Sequence, residues 1–449
     1  MIKEFAMKIV IVGSSHAGIC AALRALEEYP EAEITLYDKR DQVSFVSQGI
    51  ISYLSGRKTT LFQSSYSSVY ELERVGLAMQ MKTVVEAIDI KSKKITYRIL
   101  DSDKLLTDTY DKLIFATGSY PSMPSIPFDK ESKLYFLKSM EDAIETDEFL
   151  KNSKSVAVIG GGMTGVEFAR ITQSRGIQTT MIHRNKCLLN DYLDEPASHL
   201  LEKQLNSEGI RTILNTDVTS ITGEGGATII NMEAREALAV DGAIFTIGFR
   251  PNSYLLSNQV ELGDNGAILV DEYMQTSHQD VFAVGDVSTT YVNLLDKNLY
   301  LPHASDAVRD GEIAAINLGG PRQKINSTQG TYHVPMNDLV LAMTGITMKQ
   351  AVESGYDADA VHMLNQHLEG HSPSNIWMIY ERRTHKILGL QCIGKTKDMA
   401  EYVNIVSLAI QQELTVEDIE FTDFYFEHGY KDPRGFNRIL ARLMRENEK

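Results

Sequence analysis

Short apolar runs alternate with amphipathic stretches along the first two thirds of the chain, and the alternation occurs twice in the same order. Lys8–Val12 is an apolar run of strand length, Ile19–Glu28 has helical spacing, and Glu33–Tyr37 is a second apolar run that ends at Asp38. The order returns at Ser155–Ile159, Val166–Ser174 and Gln178–Ile182. Buried strands joined by helices predict parallel βαβ units. After about Lys324 the texture changes. Thr331–Met343, Asn375–Glu381 and Lys386–Ile393 have strand patterns, and Ala400–Glu413 has that of an amphipathic helix. The expected class is α/β: two Rossmann-like nucleotide-binding domains followed by a C-terminal α+β domain.

Each unit turns from strand to helix through glycines. In the first, Gly13-Ser14-Ser15-His16-Ala17-Gly18 places Gly13 at the tight turn and Gly18 where helix and strand must pack closely. Ser15 replaces the middle glycine where a pyrophosphate passes the backbone. The helix N-terminus offers free N–H groups and a positive dipole end to phosphate. Asp38, with Lys39 beside it, lies about twenty residues on, where a carboxylate accepts from ribose hydroxyls. The second unit has a full GxGxxG at Gly160, Gly162 and Gly165. Its second strand ends in His183-Arg184 instead of an acid. An arginine there pairs with a 2′-phosphate, which favours NADPH over NADH. Two adjacent nucleotide sites suggest hydride transfer between nicotinamide and flavin.

Bulk properties narrow the classes. A chain of 449 residues exceeds one core, so two to four domains are expected. A formal net charge of -16 and a pI near 5.2 argue against nucleic acid and anionic membrane surfaces as partners. No apolar run approaches the roughly 18–20 residues of a membrane helix, and the first residues show no cleavable signal pattern. Cys20, Cys187 and Cys392 are far apart, which fits neither a disulfide framework nor a metal pattern and suits a reducing cytoplasm.

Further motifs add a family resemblance. Tyr110–Ser119 (YDKLIFATGS), Phe245–Asn252 (FTIGFRPN), Val281–Val287 (VFAVGDV) and Pro302–Ala315 (PHASDAVRDGEIAA) are similar to segments of the pyridine nucleotide-disulfide oxidoreductase family. The chain resembles its branch of NADH oxidase, NADH peroxidase and coenzyme A-disulfide reductase. The resemblance implies an FAD domain split by the NAD(P)H domain, with boundaries at 1–119, 120–249, 250–324 and 325–449. It implies that Thr117, Gly118 and Gly248 border the cofactors at the crossings between domains. Gly285 and Asp286 would hold the ribityl chain, and His303 and Ala304 would open a helix facing the flavin. It also implies a homodimer through the last domain, with Tyr425, His428 and Tyr430 as candidates to reach the partner's site.

Within this branch the resemblance places a redox cysteine in a segment similar to Ser44–Ile50, but Gln48 stands at its position. An amide forms neither thiolate nor mixed disulfide. His16 keeps the place of a histidine near that thiol, and Glu167 that of an acid near the nicotinamide. The expected function is an FAD-dependent NAD(P)H oxidoreductase that passes electrons to oxygen, giving hydrogen peroxide, or to another small acceptor. The alternatives are a disulfide or CoA-disulfide reductase using another thiol, with Arg24 and Arg74 as weak CoA candidates, and a non-enzymatic flavin and nucleotide sensor.

Overall fold

A computed structural model describes residues 6–263, 265–336, 338–365, 373–395, 399–425 and 434–448. The first apolar run, Lys8–Val12, lies in the middle of a five-stranded parallel sheet. Glu33–Tyr37 and Ala78–Gln80 lie on one side of it, and Lys112–Phe115 and Val281–Ala283 on the other. Ile9, Val10 and Ile11 have no exposed surface. Covered on both faces, a parallel strand shows a continuous apolar run and no alternation. The second sheet repeats this arrangement around Ser155–Ile159, in the order Arg211–Ile213, Gln178–Ile182, Ser155–Ile159, Gly242–Phe245 and Leu134–Tyr135. The first sheet is therefore completed by a strand that follows the second sheet in sequence. The two chain crossings pair as antiparallel strands, Ser119–Pro121 with Phe249–Pro251.

Helices begin sooner after the glycine loops than their apolar spacing indicates, at His16 and Met163. Helix Ala304–Ile316 packs along helix His16–Glu28. Small residues permit the approach: a Cβ on Gly311 would lie 2.3 Å from the Ala17 carbonyl oxygen.

The last third forms a five-stranded antiparallel sheet, ordered Tyr332–Met336, Leu339–Gly345, Ile387–Gly394, Ser374–Glu381 and Ala358–Asn365. The single strand expected over Thr331–Met343 is instead two antiparallel strands, because Asp338, a turn-forming residue, interrupts the apolar run. The edge strand Ala358–Asn365 was not anticipated. Helices Met399–Gln411 and Gly435–Asn447 cover one face of this sheet, with Val406, Ile410 and Leu440 in its core. Leu341, Met343 and Ile393 on the other face pack into a core shared with the second nucleotide unit.

Candidate active site

A cleft of ≈ 1830 Å³ runs between the two nucleotide-binding units. It is bordered by Gly13, Ser15, His16, Asp38, Lys39, Gln48, Thr117, Gly118, Gly160, Gly162, Glu167, His183, Arg184, Gly248, Gly285, Asp286, His303 and Ala304. Two of the expected cofactor residues do not border it. A Cβ on Gly18 would lie 1.9 Å from the Gly13 carbonyl oxygen, and one on Gly165 would lie 2.1 Å from that of Gly160. These two glycines let helix pack on strand and shape the loops from behind. Tyr430 and His428 lie outside the described residues, and Tyr425 is almost fully exposed.

Among the helices that start at the cleft, those after Ser15, Gly162 and His303 have an extended N-cap residue that forms no side-chain cap, whereas the one after Ser139 closes its first turn with a capping box. Unfilled N–H groups beside a long cleft suit nucleotide phosphates, so the loops fit the two cofactors expected of them.

The carboxylates of the first unit have partners that sequence reasoning missed. Asp38 accepts from Ser14 N and Oγ at 2.8 and 2.7 Å, and from Arg40 Nε and Nη2 at 3.0 Å each. Burial opposes its charge, but Arg40 and Ser14 hold its pKa below the ordinary value. It thus fixes the loop through Ser14. Arg40 stands only two residues away, so it was within reach of the sequence. Asp286 accepts from Lys138 Nζ and Ser119 Oγ, both at 2.8 Å. Against the cost of burial, Lys138 above all keeps it ionised. Lys138 comes from 148 residues away and gave no local signal. Behind the turn, the Gly285 N–H donates to buried Asp310 at 3.2 Å, and burial pushes that carboxyl up to about 8.

His183 is engaged within the protein while it borders the cleft. Its Nδ1 accepts from the Gly161 N–H at 3.0 Å, and Nε2 lies 3.1 Å from Asn190 Oδ1. Both ring nitrogens serve the loop, and burial lowers the pKa. Arg184 is exposed at the cleft edge and makes no hydrogen bond or ion pair with a described residue.

At the seam of the units, Gln48 opens helix Gln48–Leu54, and its Nε2 donates to Glu167 Oε1 at 2.8 Å. Burial pushes the Glu167 carboxyl up to about 7, while Gln48 and Arg57 pull it back. His16 also borders the cleft, but its partner is Tyr66, with Nδ1 3.2 Å from the phenol oxygen and the rings stacked at 5.5 Å. Burial lowers its pKa. Ser44 sets this contact, since its Oγ accepts from the Tyr66 and Ser67 N–H groups.

None of the three cysteines borders the cleft. Cys392 is fully buried in the third sheet, and burial raises its pKa. Cys187 is buried at the edge of the second unit, where it forms a group with Glu195 and His199 that the sequence spacing did not suggest. Cys20 is only partly buried, one helical turn past His16, and burial and Glu312 raise its pKa. Arg24 is paired with Glu27 and Glu28, Arg74 lies over the Tyr70 ring, and neither borders the cleft. Among the described residues no helix is long and apolar enough to cross a membrane.

Residues 7–311 match the pyridine nucleotide-disulphide oxidoreductase family model, and residues 333–426 match the dimerisation domain of that family. The chain is 34% identical to the NADH oxidase of Enterococcus faecalis over 446 residues, 98% of this chain and 100% of that one. The water-forming NADH oxidase of Lactobacillus brevis bound to NADH superimposes with a TM-score of 0.94 at 32% identity, covering 98% and 99% of the two chains. An NAD(P)H coenzyme A polysulfide/persulfide reductase of Pyrococcus horikoshii is 26% identical, with 98% of each chain covered. The chain belongs to the pyridine nucleotide-disulphide oxidoreductase family.

Proposed function

We propose that this protein is an FAD-dependent NAD(P)H oxidase that prefers NADPH and reduces oxygen by two electrons to hydrogen peroxide. The observation behind the choice of product is that no thiol borders the cleft and that Gln48 is hydrogen-bonded to Glu167 where the family resemblance expects a redox cysteine. Bound FAD supplies the chemistry of accepting a hydride and releasing an electron pair. The residues hold and orient. The turn at Gly13–Ser15 and the following helix end take the pyrophosphate, Asp286 with Lys138 takes the ribityl hydroxyls, and Asp38 orders the loop. Gly160–Gly162 and Arg184 take the second nucleotide, with the Arg184 guanidinium on the 2′-phosphate. His303 and Ala304 present a helix end to the flavin side of the cleft. The FAD domain comprises residues 1–119 and 250–324, the NAD(P)H domain 120–249, and a homodimer forms through 325–449. The setting is cytoplasmic.

Anaerobic titration of the yellow protein with NADPH tests this. Two electrons per FAD should be taken up, with no long-wavelength thiolate band, and air should then release about one hydrogen peroxide per NADPH. Uptake of four electrons per FAD would overturn the reading, and Cys20→Ser would then show whether Cys20 is the second acceptor.

A further inference from the structure

We propose that Glu167 is the proton donor of the oxidative half of this reaction, positioned by Gln48 and resupplied from solvent on its Arg57 side. The proposal rests on the oxidase reading above and assigns the group that supplies its proton.

Glu167 borders the main cleft and also a small space of ≈ 10 Å³ lined with Ile51, Ser55, Arg57, Arg170, Ile171, Pro335 and Met336, of which Ile51, Arg57 and Pro335 border the cleft as well. Arg57 is exposed, so the small space lies next to solvent. The carboxyl is 4% exposed and sits on helix Met163–Ser174, so it cannot swing out to exchange protons directly.

The surroundings leave the carboxyl free to change state. Two cations are near: Arg57, and Arg170 on the same helix. The Arg170 guanidinium is committed to Glu208 at 2.6 and 2.7 Å and to Asp338 at 3.0 Å. Gln48 fixes one oxygen, Oε1, at 2.8 Å. A neutral amide can hold a carboxyl in either protonation state, since it donates through nitrogen and accepts through oxygen. A lysine in its place would lock the anion. Burial sets the titration near neutrality, where a proton donor has both the correct form and adequate strength.

The stoichiometry takes up one proton, which such a group supplies. NADPH + O₂ + H⁺ gives NADP⁺ + H₂O₂. One C–H bond of the dihydronicotinamide breaks, and two O–H bonds form. The hydride delivers two electrons and one hydrogen to oxygen. The second hydrogen is the proton of the Glu167 carboxyl, which takes its replacement from water.

The test combines two measurements on the flavin-loaded protein. Infrared titration should show a protonated-carboxyl C=O band in wild type that disappears with a midpoint near 7, is absent in Glu167→Gln, and moves to higher pH in Gln48→Leu, which lacks the donor. In stopped flow, wild-type reoxidation by oxygen should slow as pH rises through that midpoint. Glu167→Gln should reoxidise about tenfold more slowly at pH 6 and show no such dependence, while anaerobic reduction by NADPH changes less. A flavin that NADPH does not reduce would sink the oxidase reading itself. A flavin that reduces and reoxidises normally in Glu167→Gln, or a wild-type band that does not titrate, would overturn this inference alone. If Glu167→Gln does not fold, the wild-type band and its shift in Gln48→Leu decide.

Discussion

Arg184 and Glu167 differ in what surrounds them, and that difference gives each a measurable consequence. Arg184 stands at the cleft edge with no hydrogen-bond or ion-pair partner among the described residues, so its guanidinium is available to a phosphate. Arg184→Ala should raise the KM for NADPH about tenfold, roughly 1.4 kcal/mol, and leave that for NADH nearly unchanged. Equal effects on both cofactors would show that Arg184 does not read the 2′-phosphate. Glu167 is buried with a folded pKa raised to about 7. A group raised above its unfolded value stabilises the protein fully below the unfolded pKa, and this is lost as pH rises through the folded one. Between about pH 4.5 and 7 the wild type should therefore lose about 2–3 kcal/mol that Glu167→Gln does not lose. Denaturant midpoints at pH 5 and pH 8 measure the difference, and parallel pH trends in the two proteins would count against it. At this scale the sequence was legible wherever a role follows from backbone spacing, as at Gly13 and Gly160. It was not legible where tertiary contact supplies the partner. Lys138 on Asp286, Tyr66 on His16 and Glu167 on Gln48 each come from at least fifty residues away.

At the scale of elements, the repeated strand, glycine loop and helix were the clearest signals. They state their conformation locally: four of the strands run between the residues their apolar runs indicate. The third domain was less legible because its sheet is antiparallel and is covered by helices on one face and by another domain on the other. That produces apolar runs such as Leu339–Met343 with no helical or alternating period to mark the turn before them. The loop geometry makes a prediction that separates the two nucleotide units. A Cβ on Gly165 would stand 2.1 Å from the Gly160 carbonyl oxygen and 2.7 Å from Thr246 Oγ1. Helix Met163–Ser174 must then move off its strand, at a cost of about 1–3 kcal/mol for overpacking. Gly165→Ala should weaken NADPH binding by about tenfold or more while the protein keeps its flavin. Calorimetric titration of the redox-inactive NADP⁺ and the flavin-to-protein absorbance ratio test the two halves, and joint loss of both ligands would mean that the units do not fold independently at their loops.

For the whole molecule, the question is which surface meets a second copy. The third domain's sheet is covered on both faces over most of its width, although its edge strand Ala358–Asn365 leaves Leu364 45% exposed. One side is closed by helices Met399–Gln411 and Gly435–Asn447, and the other packs on the second nucleotide unit. Residues 333–426 match a dimerisation domain, which suggests a homodimer, and we expect its contact to use what these elements turn outward. Leu408 on the outer side of its helix is 59% exposed, and Phe421 is 75% exposed in the segment that follows. Large apolar side chains left in water are candidates for an interface, and burying each is worth about 1.5–3 kcal/mol. Neither contributes to the core of its own chain, so changing them acts on association with little cost to the fold. The wild type should sediment as a dimer down to submicromolar concentration, and Leu408→Asp with Phe421→Asp should sediment as a flavin-loaded monomer. A wild type that is monomeric at micromolar concentration would remove the case for a partner residue such as Tyr430 reaching the cleft. A double variant that stays dimeric would place the interface elsewhere on the domain.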